Sequence, residues 1–302
     1  MEQPAMSLKE GCMLVLHYFG IFRHPLTAEE IHRFNPVKAT REQTDLTLGE
    51  MVDEGVVQFS EGFYLAEDCS EALVSRRISN ERACQLLERS VKYVSVIASF
   101  PFVRGIAISG SLSKFSASEN PDIDYFIITE TGRLWIARSF LHLFKKLTFI
   151  TGHQHYFCMN YFIDTNAMTI THKNRYSAIE VMTLLPVFNA PLHEEFYRKN
   201  EWAGDYLPNH PGPVNYDYLW TGKTFFCKIA MEKLINLIFP EKLNRLLMNI
   251  TDRKWRRKWK RAGYPAEDYD RAFMTTLHIS KNHPVDYEKK VLSKLKENNL
   301  VV

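Results

Sequence analysis

Two short apolar runs constrain this chain more than any other feature. Val103–Ser109 is hydrophobic and closes on Gly110-Ser111, and ten residues later Asp122-Ile123-Asp124 opens a second run over residues 123–129. Apolar segments of this length, bounded by turn residues, read as buried strands. A helical pattern follows over 133–147, and residues 154–163 read as another strand. Strands alternating with helices need a sheet covered by helices, which places an α/β or α+β domain at residues 100–200.

The junctions of these strands carry the chemistry. Gly110 has no side chain, so a phosphate can approach its backbone closely. Ser111 adds a hydroxyl, and a helical turn after it would point free N–H groups at an anion. Residues i and i+2 of a strand share a face, so Asp122 and Asp124 project together while Ile123 points into the core. Two carboxylates beside a phosphate cradle suit Mg²⁺ or Mn²⁺, hard cations that share their coordination with substrate phosphates. Lys114 is the first candidate to neutralise a triphosphate, followed by Arg133 and Arg138 on the next helix.

A strand, Gly-Ser, ten residues and Asp-x-Asp resemble the minimal nucleotidyltransferases of the DNA polymerase beta-like superfamily. The likeness runs over about residues 103–209, taking in Ala178-Ile-Glu-Val-Met-Thr-Leu-Leu-Pro186 and the Asn200-Glu-Trp202 and Leu207-Pro-Asn209 phrases. It implies a mixed sheet flanked by helices and transfer of a nucleoside monophosphate from an NTP to an acceptor. It also implies catalytic and metal-binding roles for Asp122 and Asp124, and nucleotide contacts from Gly110, Ser111 and Lys114. Active relatives commonly add a third acid on a neighbouring strand. Here the matching position holds Asn160, and Asp164 lies about 13 Å further along a straight strand. Asn160 can ligate weakly through its carbonyl without bringing charge, and Asp164 can serve only if the strand ends early or bulges. With only two carboxylates, a catalytically weak or inactive nucleotide sensor, a nucleic-acid-binding relative or a protein-interaction module is the alternative.

Residues 1–70 have their own rhythm. Helices are expected over Leu8–Gly20, Ala28–Phe34 and 43–54, with Thr27 and Glu30 as a capping box, then short strands at 56–59 and 62–65. Three helices and a hairpin resemble a winged helix, a likeness of pattern and of the phrase Leu48-Gly-Glu-Met-Val-Asp-Glu-Gly-Val-Val57. The third helix and its approach carry Glu42, Asp45, Glu50, Asp53 and Glu54 against Arg41 alone, which repels phosphate and favours packing or oligomerisation over DNA binding. A connecting helix is expected over 71–99.

The remainder, 201–302, reads as mainly helical. Residues 252–261 hold Arg253, Lys254, Arg256, Arg257, Lys258, Lys260 and Arg261, with Trp255 and Trp259 one turn apart. This segment could grip a nucleic-acid backbone or acceptor, or lie on an anionic membrane; the blander reading docks both tryptophans on the helical region. Over the whole chain 38 basic against 35 acidic side chains give a net charge of only +3, so local clusters decide. His153 and His155 are two metal-ligand types without a third. Five scattered cysteines without Cys-x-x-Cys spacing, no secretory signal and no transmembrane run predict a cytoplasmic protein.

Overall fold

The computed structural model describes residues 6–66, 70–213, 216–222 and 226–298. Local chemistry explains the N-terminal segment up to Leu65. α1 (Leu8–Gly20), α2 (Ala28–Phe34) and α3 (Arg41–Asp53) each begin with a complete capping box, at Ser7/Glu10, Thr27/Glu30 and Thr40/Gln43. Each box satisfies N–H groups that the first helical turn leaves unpaired. The strands β1 (Gln58–Ser60) and β2 (Phe63–Leu65) pair antiparallel across Glu61-Gly62, both with positive φ, as a two-residue hairpin turn requires. α3 thus starts two residues earlier than expected, and the hairpin strands are shorter.

The expected connector is one unbroken helix, α4 (Ser70–Ala98). Beyond it come β3 (Val103–Ser109), β4 (Asp124–Thr129), α5 (Leu134–Thr148) and β5 (Cys158–Asp164). Next are α6 (Arg175–Met182), β6 (Leu185–Phe188), α7 (Ala190–Lys199) and α8 (Ala203–Tyr206), then α9 (Phe226–Asn236) and α10 (Pro240–Arg261). The described chain closes with α11 (Ala266–Ala272), β7 (Ile279–Lys281) and α12 (Tyr287–Glu297). Five strands form one mixed sheet in the order β6-β3-β4-β5-β7, so the chain is α+β with helices flanking a mixed sheet. Only β4 and β5 run parallel, joined by α5 as a crossover.

Two departures from expectation share a cause. By sequence alone, residues 178–185 read as a helix that ends before Pro186. Instead α6 ends at Met182, and Leu185-Pro186 belongs to β6. Proline lacks the N–H for an inner strand but fits an edge, and β6 is an edge of the sheet. The opposite edge is β7, drawn from a region expected to be mainly helical. Both are three- or four-residue strands whose pairing partners are distant in sequence, so local pattern could not announce them.

The core is continuous across these parts. Leu14, Leu16, Ile31 and Leu48 of the first three helices belong to one buried cluster with Phe126, Ile163 and Phe196 and with Val291 and Leu295 of α12. On the other face Leu87, Val94, Ile97, Trp135 and Leu141 pack against Ile106, Ile108, Ile127 and Phe162. Burial of this much apolar surface on both faces is what holds the sheet.

Candidate functional site

β3 and β4 place the motif at one end of the sheet. Ser109 pairs with Asp124, so the chain leaves β3 at Gly110 directly beside the first residue of β4. Gly110 adopts φ +68°, and a Cβ there would stand 2.8 Å from Asp124 Oδ2. The glycine is needed twice, for its left-handed backbone and for the space Asp124 occupies. Gly110→Ala is therefore expected to lower stability by about 1–2 kcal/mol and to push the carboxylate aside. An unchanged urea midpoint would show that Asp124 gives way freely.

After Gly110 the backbone makes only a single 3₁₀ turn, Leu112–Lys114, rather than a longer helix. The aligned-dipole part of the expected anion cradle is thus small, and the cradle is chiefly the Gly110-Ser111 backbone with the exposed Ser111 hydroxyl. Phe115 ends the turn in the left-handed region, φ 53°, an uncommon conformation for a bulky residue. α4 holds it there. Arg76 and Asn80 both donate to the Phe115 carbonyl, Ser79 Oγ accepts from Ala117 N, and Arg76 also pairs with Glu30 at 2.7 Å. The N-terminal helices are in this way wired to the loop that shapes the site.

β4 begins only at Asp124, so Asp122 and Ile123 lie in the segment that leads into it. Ile123 is fully buried, while Asp122 is exposed and Asp124 half-buried on the same side. Burial, and next the charge of Asp122, raise the Asp124 carboxyl to about 6. Asn160 Nδ2 donates to Asp124 Oδ1 at 3.1 Å, which partly opposes that rise. Two crowded carboxylates fit a hard divalent cation, which would be held by Asp122 and Asp124 and would offset their mutual repulsion. Among the described residues, no group of three or more His, Cys, Asp or Glu side chains is gathered as a metal cage.

The two contenders for the third position separate cleanly. Asn160 occupies the register shift between the pairs Tyr125–Met159 and Phe126–Tyr161, a bulge that aims its amide at Asp124. Asp164 pairs with Thr129 at the far end of β4. It is fully buried and accepts from Gly132 N at 2.9 Å, Asn166 N at 3.0 Å and His278 Nδ1 at 2.7 Å. Asp164 is a structural carboxylate and no part of this site.

The cations also sort by position. Lys114 is at the site, donating to Gly110 O at 3.0 Å and pairing with Glu180 at 2.9 Å. Arg133 is not: it bonds Asn236 and Glu241 at the other end of the sheet. Arg138 is buried, its guanidinium 5.4 Å from the Trp135 ring and 4.6 Å from that of Trp255, and burial lowers it to about 9. The geometry of a crossover explains both misplacements. β4 runs away from the motif and α5 returns, so the end of α5, not its start, comes back to the site. Lys145 is the residue so delivered: it donates to Cys158 Sγ at 3.2 Å and its charge favours ionised Asp124. Two more residues join: His155, which the sequence offered only as half of an incomplete metal pair, and Glu180, which no motif singled out. His155 Nδ1 lies 2.8 Å from Asp122 Oδ1, and the charge of Glu180 on α6 reaches Asp124. His153, by contrast, packs on Tyr156.

The basic stretch resolves into an inward and an outward face. Trp255 is buried edge-on to Trp135, and Trp259 stacks on Phe273 at 4.8 Å, so both tryptophans dock on the body. Arg256 pairs with Asp252 and Asp270. Arg253, Lys254, Arg257, Lys258 and Arg261 line a shallow groove along the exposed side of α10. A scan against protein-family models and searches of curated proteins and of solved structures find no match to this chain.

Proposed function

We propose that the chain is a nucleotidyltransferase, moving a nucleoside monophosphate from an NTP to an acceptor hydroxyl or similar group. The observation that carries this reading is the contact between left-handed Gly110 and Asp124, with Asp122 beside them. It sets a side-chain-free phosphate turn against paired carboxylates within one strand–turn–strand unit. The acceptor oxygen would attack the α-phosphorus in line, the bond to the bridging α–β oxygen would break, and pyrophosphate would leave. Gly110 and Ser111 would receive the phosphates, with Lys114 and Lys145 flanking them. A divalent ion, Mg²⁺ or Mn²⁺, held by Asp122 and Asp124, would supply charge neutralisation on the reacting phosphates. The five-stranded mixed sheet, with Asp-x-Asp at the start of β4, supports a nucleotidyltransferase-type fold. The three capped helices and hairpin support a winged-helix-like module. Its third helix is as acidic as the sequence implied, so it is read as a packing or oligomerisation module in a cytoplasmic enzyme.

One observation favours a second reading. Asn160, in the place of a third acid, brings no charge and donates to Asp124, which suits a slow enzyme or a nucleotide sensor. Calorimetric titration with ATP, GTP, CTP and UTP in Mg²⁺, beside Asp122→Asn/Asp124→Asn, tests both. Heat with one nucleotide that vanishes in the double variant is the expected result, and pyrophosphate release with candidate acceptors then separates enzyme from sensor. No heat with any of the four, from folded protein, would overturn the nucleotide site.

A further inference from the structure

We propose that the tip joining α9 to α10, together with the outer face of α10, docks on an anionic lipid bilayer. The tip is apolar and uncovered among the described residues: Leu234, Leu237, Ile238 and Phe239 are 60%, 81%, 59% and 71% exposed. Leu246 and Ile250 carry the apolar surface up α10, one helical turn apart, both more than half exposed. An apolar surface of this extent marks a place where something else binds.

The continuation of the same helix says what. Ile250 lies on the stripe that runs on through Arg253, Lys254, Arg257, Lys258 and Arg261, at spacings of three and four residues. None of these five forms a salt bridge among the described residues, whereas Arg256, off that stripe, has two carboxylate partners. Aliphatic side chains at one end and unneutralised cations along the rest match the layering of a membrane surface. The tip would enter the acyl boundary and the cations would lie over headgroup phosphates. No described helix is long and apolar enough to cross a bilayer, so the contact is interfacial.

Other occupants fit less well. A second copy packing its tip on this tip would bury the aliphatic side chains but would supply no counter-charge to the cations beside them. Nucleic acid would use the cations, but the tryptophans of α10 are turned inward, Trp255 edge-on to Trp135 and Trp259 stacked on Phe273, leaving the basic stripe without a base-stacking platform. The apolar end is mostly branched aliphatic, suited to acyl chains.

The test is co-sedimentation of the full chain with vesicles of phosphatidylcholine alone and of phosphatidylcholine mixed with phosphatidylglycerol. Binding to the mixed vesicles that weakens with salt is expected, at least about tenfold reduced in Leu237→Ser/Ile238→Ser and in Arg253→Gln/Arg257→Gln. These side chains are exposed, and unchanged melting of the variants shows that the body is intact. Failure of the folded wild-type protein to bind anionic vesicles overturns the proposal, as does equal binding by both variants. Salt-sensitive binding of a single-stranded RNA probe with no vesicle binding would reassign the stripe to nucleic acid. Sedimentation-detected self-association lost in Leu237→Ser/Ile238→Ser, again without vesicle binding, would reassign the tip to an interface. None of these outcomes depends on nucleotide binding.

Discussion

Asp164→Ala is expected to destabilise the fold by about 3 kcal/mol while leaving the proposed nucleotide site intact. The carboxylate is fully buried and gathers three donors from separate segments: Gly132 N, Asn166 N and His278 Nδ1. It thereby ties the loop after β4 and the approach to edge strand β7 to the end of β5. Alanine takes the shared acceptor away from all three donors, which are themselves only part-buried around the buried carboxylate. Stranding the partners of a buried ionic group typically removes about 3–5 kcal/mol. In a chain of this size that is a fall in melting temperature of roughly 5–8 °C. Asp164→Asn keeps one acceptor oxygen and should recover part of the loss. Thermal melts give the size of the effect, and titration with Mg²⁺ and nucleotide well below the melting range gives its location. Undiminished affinity is the expected outcome. A loss of affinity with no change in melting would mean that Asp164 ligates metal and that β5 is longer or more mobile than its pairing with β4 implies.

That distinction between Asn160 and Asp164 shows where the sequence stops being legible. Strand parity alone left both open, because residues 160 and 164 share a face in a straight strand. The bulge at Asn160 and the parallel pairing of β5 with β4 are tertiary facts, and they decide it. The motif itself was readable because a strand, a glycine turn and a strand are governed by nearest neighbours. So were the capped helices, whose N-terminal signals lie within four residues. The helpers of the site were not. Lys145 comes home on the returning crossover helix, Glu180 arrives on α6, and His155 enters from the 3₁₀ turn before β5. A crossover between parallel strands, had it been assumed, would have directed attention to the end of α5 rather than to Arg133. For the basic stretch the i,i+4 tryptophans were legible as a stripe, but which way the stripe faced depended on tertiary partners, Trp135 far back along the chain and Phe273 beyond the end of α10. The exposed Leu237–Phe239 tip gave no signal, since apolar residues before a helix ordinarily read as core.

Asp124→Asn should act in the opposite sense from Asp164→Ala, stabilising the metal-free protein, and only above the pH at which the carboxyl would ionise. The Asp124 carboxyl is raised from 3.8 to about 6, chiefly by burial and next by Asp122. The sign follows from proton binding. Below about pH 4 the group is protonated whether the chain is folded or not, and the site carries no penalty. Between about 4 and 6 the unfolded chain loses the proton while the folded one keeps it, so stability falls as pH rises. Above 6 the loss is complete, of the order of 2–3 kcal/mol. Asparagine has the same shape, still accepts from Asn160 Nδ2, and can donate its amide towards Asp122 instead of repelling it. In EDTA the variant should therefore melt with the wild type near pH 4 and above it by roughly 5 °C at pH 8. A constant difference across that range would mean packing rather than ionisation is responsible, and no difference at pH 8 would mean the carboxyl is well solvated. Saturating Mg²⁺ should narrow or reverse the gap by stabilising only the protein that keeps both acids. A residue that weakens the apo fold at neutral pH, and whose penalty a divalent ion removes, is placed there for binding rather than for folding.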